Sequence, residues 1–130
     1  MAATYLDSSA VVKLAVREPE SDALRRYLRS HRPWVSSALT RTEVMRAVLD
    51  KGEPARKAGR RALADLDLIR VDNRVLDLAG ALLPSELRSL DAIHMATAQR
   101  LGNDLREVVT YDVRMTEAAE LLGFRVMAPT

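Results

Sequence analysis

Residues 2–9, Ala2-Ala3-Thr4-Tyr5-Leu6-Asp7-Ser8-Ser9, decide the fold. The short apolar run reads as a buried strand. It ends on an aspartate and two serines, residue types whose side-chain oxygens accept from the free N–H groups that open a helix. A helix is therefore expected over Ala10 to Val16, closed by Glu18-Pro19. A strand running straight into a helix begins a parallel sheet, because parallel neighbours need a crossover between them.

The same alternation continues outward from this unit. A helix is predicted from about Glu20 to Ser30, with Ala23, Leu24, Tyr27 and Leu28 on one face, and a strand over Pro33 to Ser36. Ser37 to Asp50 carries Leu39, Val44, Ala47 and Val48 at helical spacing until Lys51-Gly52-Glu53-Pro54 breaks it. Ala55 to Asp65 resumes as a helix, making a helical hairpin. Leu66 to Val71 reads as a strand and Arg74 to Leu83 as a helix ended by Pro84. Ser89 is expected to cap a helix running to about Arg100, with Leu90, Ile93, Ala96, Thr97 and Leu101 inward and Gly102 as its stop. Glu107 to Thr110 is a strand, Asp112 to Leu122 a helix stopped by Gly123, and Phe124 to Met127 a final strand. The pattern predicts an α/β protein: a single domain over residues 1–130, a three-layer α/β/α sandwich with a mainly parallel central sheet. In such sheets ligands bind outside the carboxyl ends of the strands, where strand order reverses. The strands ending at Leu6 and Thr110 are expected to flank that point.

Composition narrows the chemistry. The 130 residues contain no cysteine, which excludes a disulfide framework, a thiol nucleophile and a Cys-ligated zinc site, and suits a reducing cytoplasm. Every apolar run falls short of the ~20 residues that span a bilayer, so a soluble cytoplasmic protein without membrane contact is expected. Net charge is only +2, but lysine occurs only at Lys13, Lys51 and Lys57, the other bases being arginine. Arginine grips phosphate in a bidentate fork, although an arginine-rich composition alone does not make a basic patch.

Four carboxylates, Asp7, Glu43, Asp91 and Asp112, follow strand ends or lie early on helices. Each also fits a plainer role. Asp7 and Asp112 can cap their helices, Thr40-Arg41-Thr42-Glu43 matches a capping box, and Asp91 can face the dipole of its helix, though Leu90, Ala92 and Ile93 suggest a largely buried setting. Should the four converge, their repulsion calls for a cation. Oxygen ligands without cysteine favour magnesium or manganese over zinc, and a phosphodiester is the natural substrate of such a site. His94, one turn beyond Asp91, is read as a packing or hydrogen-bonding residue, and His31 as solvated. Arg41, Arg46, Arg88 and Arg114 lie near the acids in sequence and suit either backbone phosphates or simple counter-charge.

The ordered pieces Tyr5-Leu6-Asp7-Ser8-Ser9, Ser37 through Thr42-Glu43, Leu90-Asp91-Ala92-Ile93-His94 with Ala96-Thr97-Ala98, and Val109-Thr110-Tyr111-Asp112 resemble the PIN-domain ribonucleases, specifically toxins of VapBC-type toxin-antitoxin pairs. The resemblance spans essentially the whole chain. It implies a metal-dependent endoribonuclease with Asp7, Glu43, Asp91 and Asp112 as metal-site acids, Asp7 and Asp91 foremost, and Ser9 and Thr110 as orienting hydroxyls. It also implies in-line hydrolysis of RNA to 5′-phosphate and 3′-hydroxyl ends, a small cognate antitoxin presenting Arg or Lys to the acids, and a homodimer, with the hairpin around Gly52 in these contacts.

Other folds and activities are less consistent with the residues. A haloacid-dehalogenase-type phosphatase wants a second aspartate where Ser9 stands, a receiver domain wants an acidic pair after the first strand, and no glycine-rich turn for a nucleotide is present. A PIN-like module that binds RNA or an antitoxin without cutting, and a housekeeping nuclease outside any toxin-antitoxin pair, remain as alternatives.

Overall fold

The computed structural model describes residues 2–130. Strand β1 (Ala3–Leu6) leads into helix α1 (Ser8–Ala15), followed by α2 (Ser21–Arg29), β2 (Trp34–Ser37), α3 (Leu39–Val48) and α4 (Glu53–Ala64). Then come β3 (Asp67–Ile69), α5 (Asn73–Gly80), α6 (Ser89–Arg100), β4 (Leu105–Val109), α7 (Val113–Leu121) and β5 (Val126–Met127). The five strands form one sheet in the order β3-β2-β1-β4-β5, and every neighbouring pair is parallel. The chain winds outward from β1 in one direction, then returns to place β4 on its other side. Strand order thus reverses between β1 and β4, as expected from the sequence.

All four residues of β1 are buried, as befits a central strand covered on both faces. Leu6 and Val109 pack with α1, α2, α3 and α4 through Ala10, Val11, Leu24, Leu28, Val44, Ala62 and Leu63. Tyr5 and Val108 face the other way, toward Met95 and Ala98 of α6 and Met115, Ala118 and Ala119 of α7. Alternation along two adjacent strands therefore separates the two helical layers.

Glu107, next to Val108, is 1% exposed, and its carboxylate accepts from Thr4 Oγ1 at 2.8 Å and from the Tyr27 hydroxyl. Two hydroxyls satisfy a charge that would be costly to bury alone. Tyr27 also stacks on His31 with ring centroids 3.8 Å apart, and His31 Nδ1 lies 2.6 Å from the Tyr27 carbonyl. His31 is therefore half-buried and held, which corrects the expectation of a solvated side chain.

The helical hairpin is α3 and α4. Gly52 caps α4 at φ 91°, in the left-handed region that glycine enters without steric cost. Gly59 sits where the two helices approach. A Cβ there would lie 3.4 Å from Met45 Sδ and from Val48 Cγ2, so alanine fits and a longer side chain does not. Gly59→Leu is expected to cost about 1–3 kcal/mol through overpacking. Gly59→Ala should be neutral or stabilising, since glycine within a helix is worse than alanine by about 1 kcal/mol. Thermal denaturation of the two variants checks both expectations.

Several boundaries differ from the sequence reading. Helix α1 begins at Ser8 because Asp7 caps it, α5 ends at Gly80, and β4 starts at Leu105. Ser89 is the first residue of α6 and does not cap it; the preceding Arg88 holds the extended backbone. Leu90 is 48% exposed, not inward, because α6 buries Ala92, Met95, Ala96 and Ala98. No helix among the described residues is long and apolar enough to cross a membrane.

Candidate active site

Asp7 follows β1 directly, and Thr110 follows β4 directly. Their side chains interlock the two strand ends. Thr110 Oγ1 donates to Asp7 Oδ2 at 2.6 Å, while Asp7 Oδ1 accepts from Ser9 Oγ at 2.7 Å and from the Ala10 N–H at 3.1 Å. The hydroxyls accept in turn: Tyr111 N–H donates to Ser9 Oγ, and Asp112 N–H to Thr110 Oγ1. Asp7 does cap α1, yet it is only 2% exposed. Burial pushes its carboxyl above the ordinary range despite the hydroxyls of Ser9 and Thr110. A plain surface cap has no such environment.

Glu43 reaches the site from α3, whose start is tied to the end of β1. Ser36 Oγ donates to the Leu6 carbonyl at 2.6 Å and lies 2.6 Å from Thr40 Oγ1. Thr40 is thus occupied with Ser36, and α3 has no side-chain cap. The capping box suggested by Thr40 and Glu43 does not form. Glu43 Oε1 instead lies 2.6 Å from Nε2 of His94 on α6, and His94 Nδ1 lies 2.7 Å from the Tyr5 hydroxyl.

Asp91 projects from the first turn of α6. It is half-buried, more open than its apolar neighbours suggested, because Leu90 turns outward. Its carboxyl is raised first by desolvation and then by the negative charge of Asp112, with Glu43 adding in the same direction and Arg88 and His94 opposing. Asp112 caps α7, its Oδ1 accepting from the N–H groups of Arg114 and Met115 at 2.8 and 3.3 Å. The fields of Asp112 and Glu43 therefore meet at Asp91, while Glu43 itself is bonded to the ring of His94.

The donor set fits a hard divalent cation. Both nitrogens of His94 are engaged, there is no cysteine, and the donors left are carboxylate and hydroxyl oxygens, the ligands of magnesium and manganese. Asp7 Oδ2 accepts a single bond, from Thr110, and keeps a lone pair. A positive charge would also relieve the raised carboxyls of Asp7 and Asp91. Among the described residues no three acidic or histidine side chains close into a ready cage. Magnesium keeps several of its waters and takes one or two carboxylates directly, which suits an open arrangement.

The four arginines part company. Arg88 and Arg114, both exposed, line one cleft of about 410 Å³ together with Glu86, Leu87, Glu117 and Leu121, between the segment leading into α6 and the length of α7. Arg41 instead lines a separate groove with Met45, Arg60 and Leu68. Arg46 is exposed on α3 and lines neither cleft. The sequence reading also left out Tyr5 and Ser36, which tie Glu43 and its helix to the sheet. The only signal available was the position of Tyr5 two residues before Asp7, on the strand face opposite Leu6.

Residues 4–121 match the family model described as PIN domain. The chain is 76% identical over 130 residues to Ribonuclease VapC46 of Mycobacterium tuberculosis, covering 100% of both. It is 45% identical over 129 residues to Ribonuclease VapC35 of the same organism, covering 96% of each. Among solved structures, Mycobacterium tuberculosis VapC20, described as a sarcin-ricin-loop-cleaving toxin, superposes with a TM-score of 0.76 at 17% identity, covering 98% of this chain and 100% of that one. A chain from a toxin-antitoxin complex of Klebsiella pneumoniae superposes with a TM-score of 0.75 at 24% identity, covering 98% of each. These two likenesses speak for the fold.

Proposed function

Because the chain belongs to the PIN-domain family, among the VapC ribonucleases, we propose that it is the endoribonuclease toxin of a toxin-antitoxin pair and hydrolyses RNA with magnesium or manganese held by Asp7, Asp91 and Glu43. The observation that carries the site assignment is electrostatic. Asp7, which follows β1 at the strand-order reversal, and Asp91, in the first turn of α6, both have carboxyls raised above their ordinary range chiefly by burial, a state a divalent cation would relieve.

A bound divalent ion supplies a water of lowered pKa and offsets charge on the phosphoryl oxygens. The chain's own groups divide the remaining work. Asp7, fixed by Ser9 and Thr110, offers Oδ2 as a preset ligand. Asp91, which has no side-chain hydrogen bond among the described residues, is free to bind through one oxygen and take the proton of the attacking water on the other. Asp112 is committed through Oδ1 to its helix and acts on Asp91 mainly by its field. Arg88 and Arg114, which share one cleft, would hold backbone phosphates.

Unchecked cutting of RNA would harm the cell that makes it. A small antitoxin seating an Arg or Lys among the acids would neutralise the same charges as the cation, and a homodimer is proposed as the toxin's own assembly. The test is cleavage of a structured RNA by the purified protein in magnesium. The expected result is cutting by the parent and a loss of about 10²-fold or more in Asp91→Asn. A parent that binds RNA but never cuts it would leave a binding module in place of the enzyme.

A further inference from the structure

We propose that His94 is a positioning residue that holds Glu43 in its metal-binding orientation, with Tyr5 fixing the imidazole for that task. The inference rests on the metal-site reading above. His94 is 1% exposed and Tyr5 is fully buried. The chain Tyr5 Oη, His94 Nδ1, His94 Nε2, Glu43 Oε1 has steps of 2.7 and 2.6 Å at the two nitrogens. A carboxylate only accepts, so Nε2 carries the proton and donates to Glu43. Nδ1 meets the Tyr5 hydroxyl, which can donate to it or accept from it. The rings meet edge to face, with centroids 6.0 Å apart and planes at 81°, so the tyrosine sets the tilt of the imidazole.

Glu43 needs such a hold more than the aspartates do. Its side chain has three rotatable bonds and is 21% exposed, whereas Asp7 is anchored by two hydroxyls and a backbone N–H. Left free, Glu43 would have to be ordered when the ion binds, at a cost in rotamer entropy. Held by one oxygen on His94, it keeps Oε2 available. Partners behind a ligand commonly set metal affinity in this way. A residue serving only to fill the core would need no hydrogen bond to a side chain at the rim of the site.

Two amides separate these roles, because glutamine places its NH₂ near the position of Nε2 and asparagine near that of Nδ1. Binding of Mn²⁺ alone is measured by calorimetry for the folded parent, His94→Gln and His94→Asn, and Tm is measured in EDTA. Both variants are expected to lose similar thermal stability. His94→Asn should bind Mn²⁺ about 10-fold more weakly or worse, His94→Gln should keep most of the affinity, and His94→Asn should cause no further loss in a Glu43→Gln background. Equal affinities in all three proteins, or equal weakening by both amides, would overturn the inference while leaving the metal site standing. A parent that binds no Mn²⁺ overturns the site reading and the inference together. Should His94→Asn not fold, Tyr5→Phe replaces it: weakened Mn²⁺ binding in the parent background and none added in Glu43→Gln supports the relay, and unchanged binding in both overturns it.

Discussion

Asp7→Asn is expected to lower RNA cleavage by at least about 10²- to 10³-fold while the protein folds as well as the parent or better. Asparagine caps a helix as effectively as aspartate, and its amide can replace the bonds to Ser9, Ala10 and Thr110 with the Thr110 hydroxyl turned to accept. Only the negative charge is removed. Burial disfavours that charge, since desolvation raises Asp7 above its ordinary range, and the neutral amide escapes the penalty. Without divalent cations at pH 7, the variant should melt roughly 2 to 5 °C above the parent, the effect of about 1 kcal/mol in a domain of this size. An active Asp7→Asn enzyme would remove Asp7 from the chemistry. A marked fall in Tm would show that its charge serves the fold.

Chelation with EDTA is expected to stop cleavage, and Mn²⁺ or Mg²⁺ should both restore it and stabilise the protein. A ligand at 100 times its Kd contributes about 2.7 kcal/mol, which raises Tm by roughly 10 °C. The shift should be small in Asp7→Asn and in Asp91→Asn. Its pH dependence has a definite sign. Asp7 and Asp91 are both raised in the folded protein, so without metal the unfolded chain gives up these protons first. The pair therefore costs stability as pH rises through the ordinary carboxylate value of about 4 toward the raised ones. Metal binding reverses that cost, because it requires the ionised forms. The metal-induced Tm shift should grow with pH over that interval and level off above it. A shift that is independent of pH, or equal in the parent and both variants, would place the ion elsewhere.

The positions of the acids along the chain were legible because local signals placed them. Asp7 and Asp112 stand where a strand gives way to a helix, and Asp91 lies three residues into α6 from its cap. Glu43 was legible as an acid but not as a partner of His94, since Thr40-Arg41-Thr42-Glu43 presents the pattern of a capping box. That local option lost because Thr40 binds Ser36 and draws the start of α3 against the sheet. Leu90 was misplaced for a related reason. Its helix is alanine-rich and packs through Ala92, Met95, Ala96 and Ala98, so size alone does not mark the buried face. Glu107 was read only as the first residue of a strand, and its burial became explicable once Tyr27 and Thr4 were seen to reach it.

The sequence by itself determined the succession of strands and helices, the parallel α/β class and the acids that stand at strand ends. Periodicity, caps and breakers act within a few residues, and four ordered motifs sufficed to indicate the family. Tertiary structure alone decided which of these distant groups meet. Glu43 and His94 are 51 positions apart, Tyr5 and His94 are 89, and Asp7 and Thr110 are 103. Such pairs form only when the sheet sets β1 beside β4 and the layers close over it. Burial then raises Asp7, burial and the field of Asp112 raise Asp91, and the buried imidazole of His94 is bonded to Glu43.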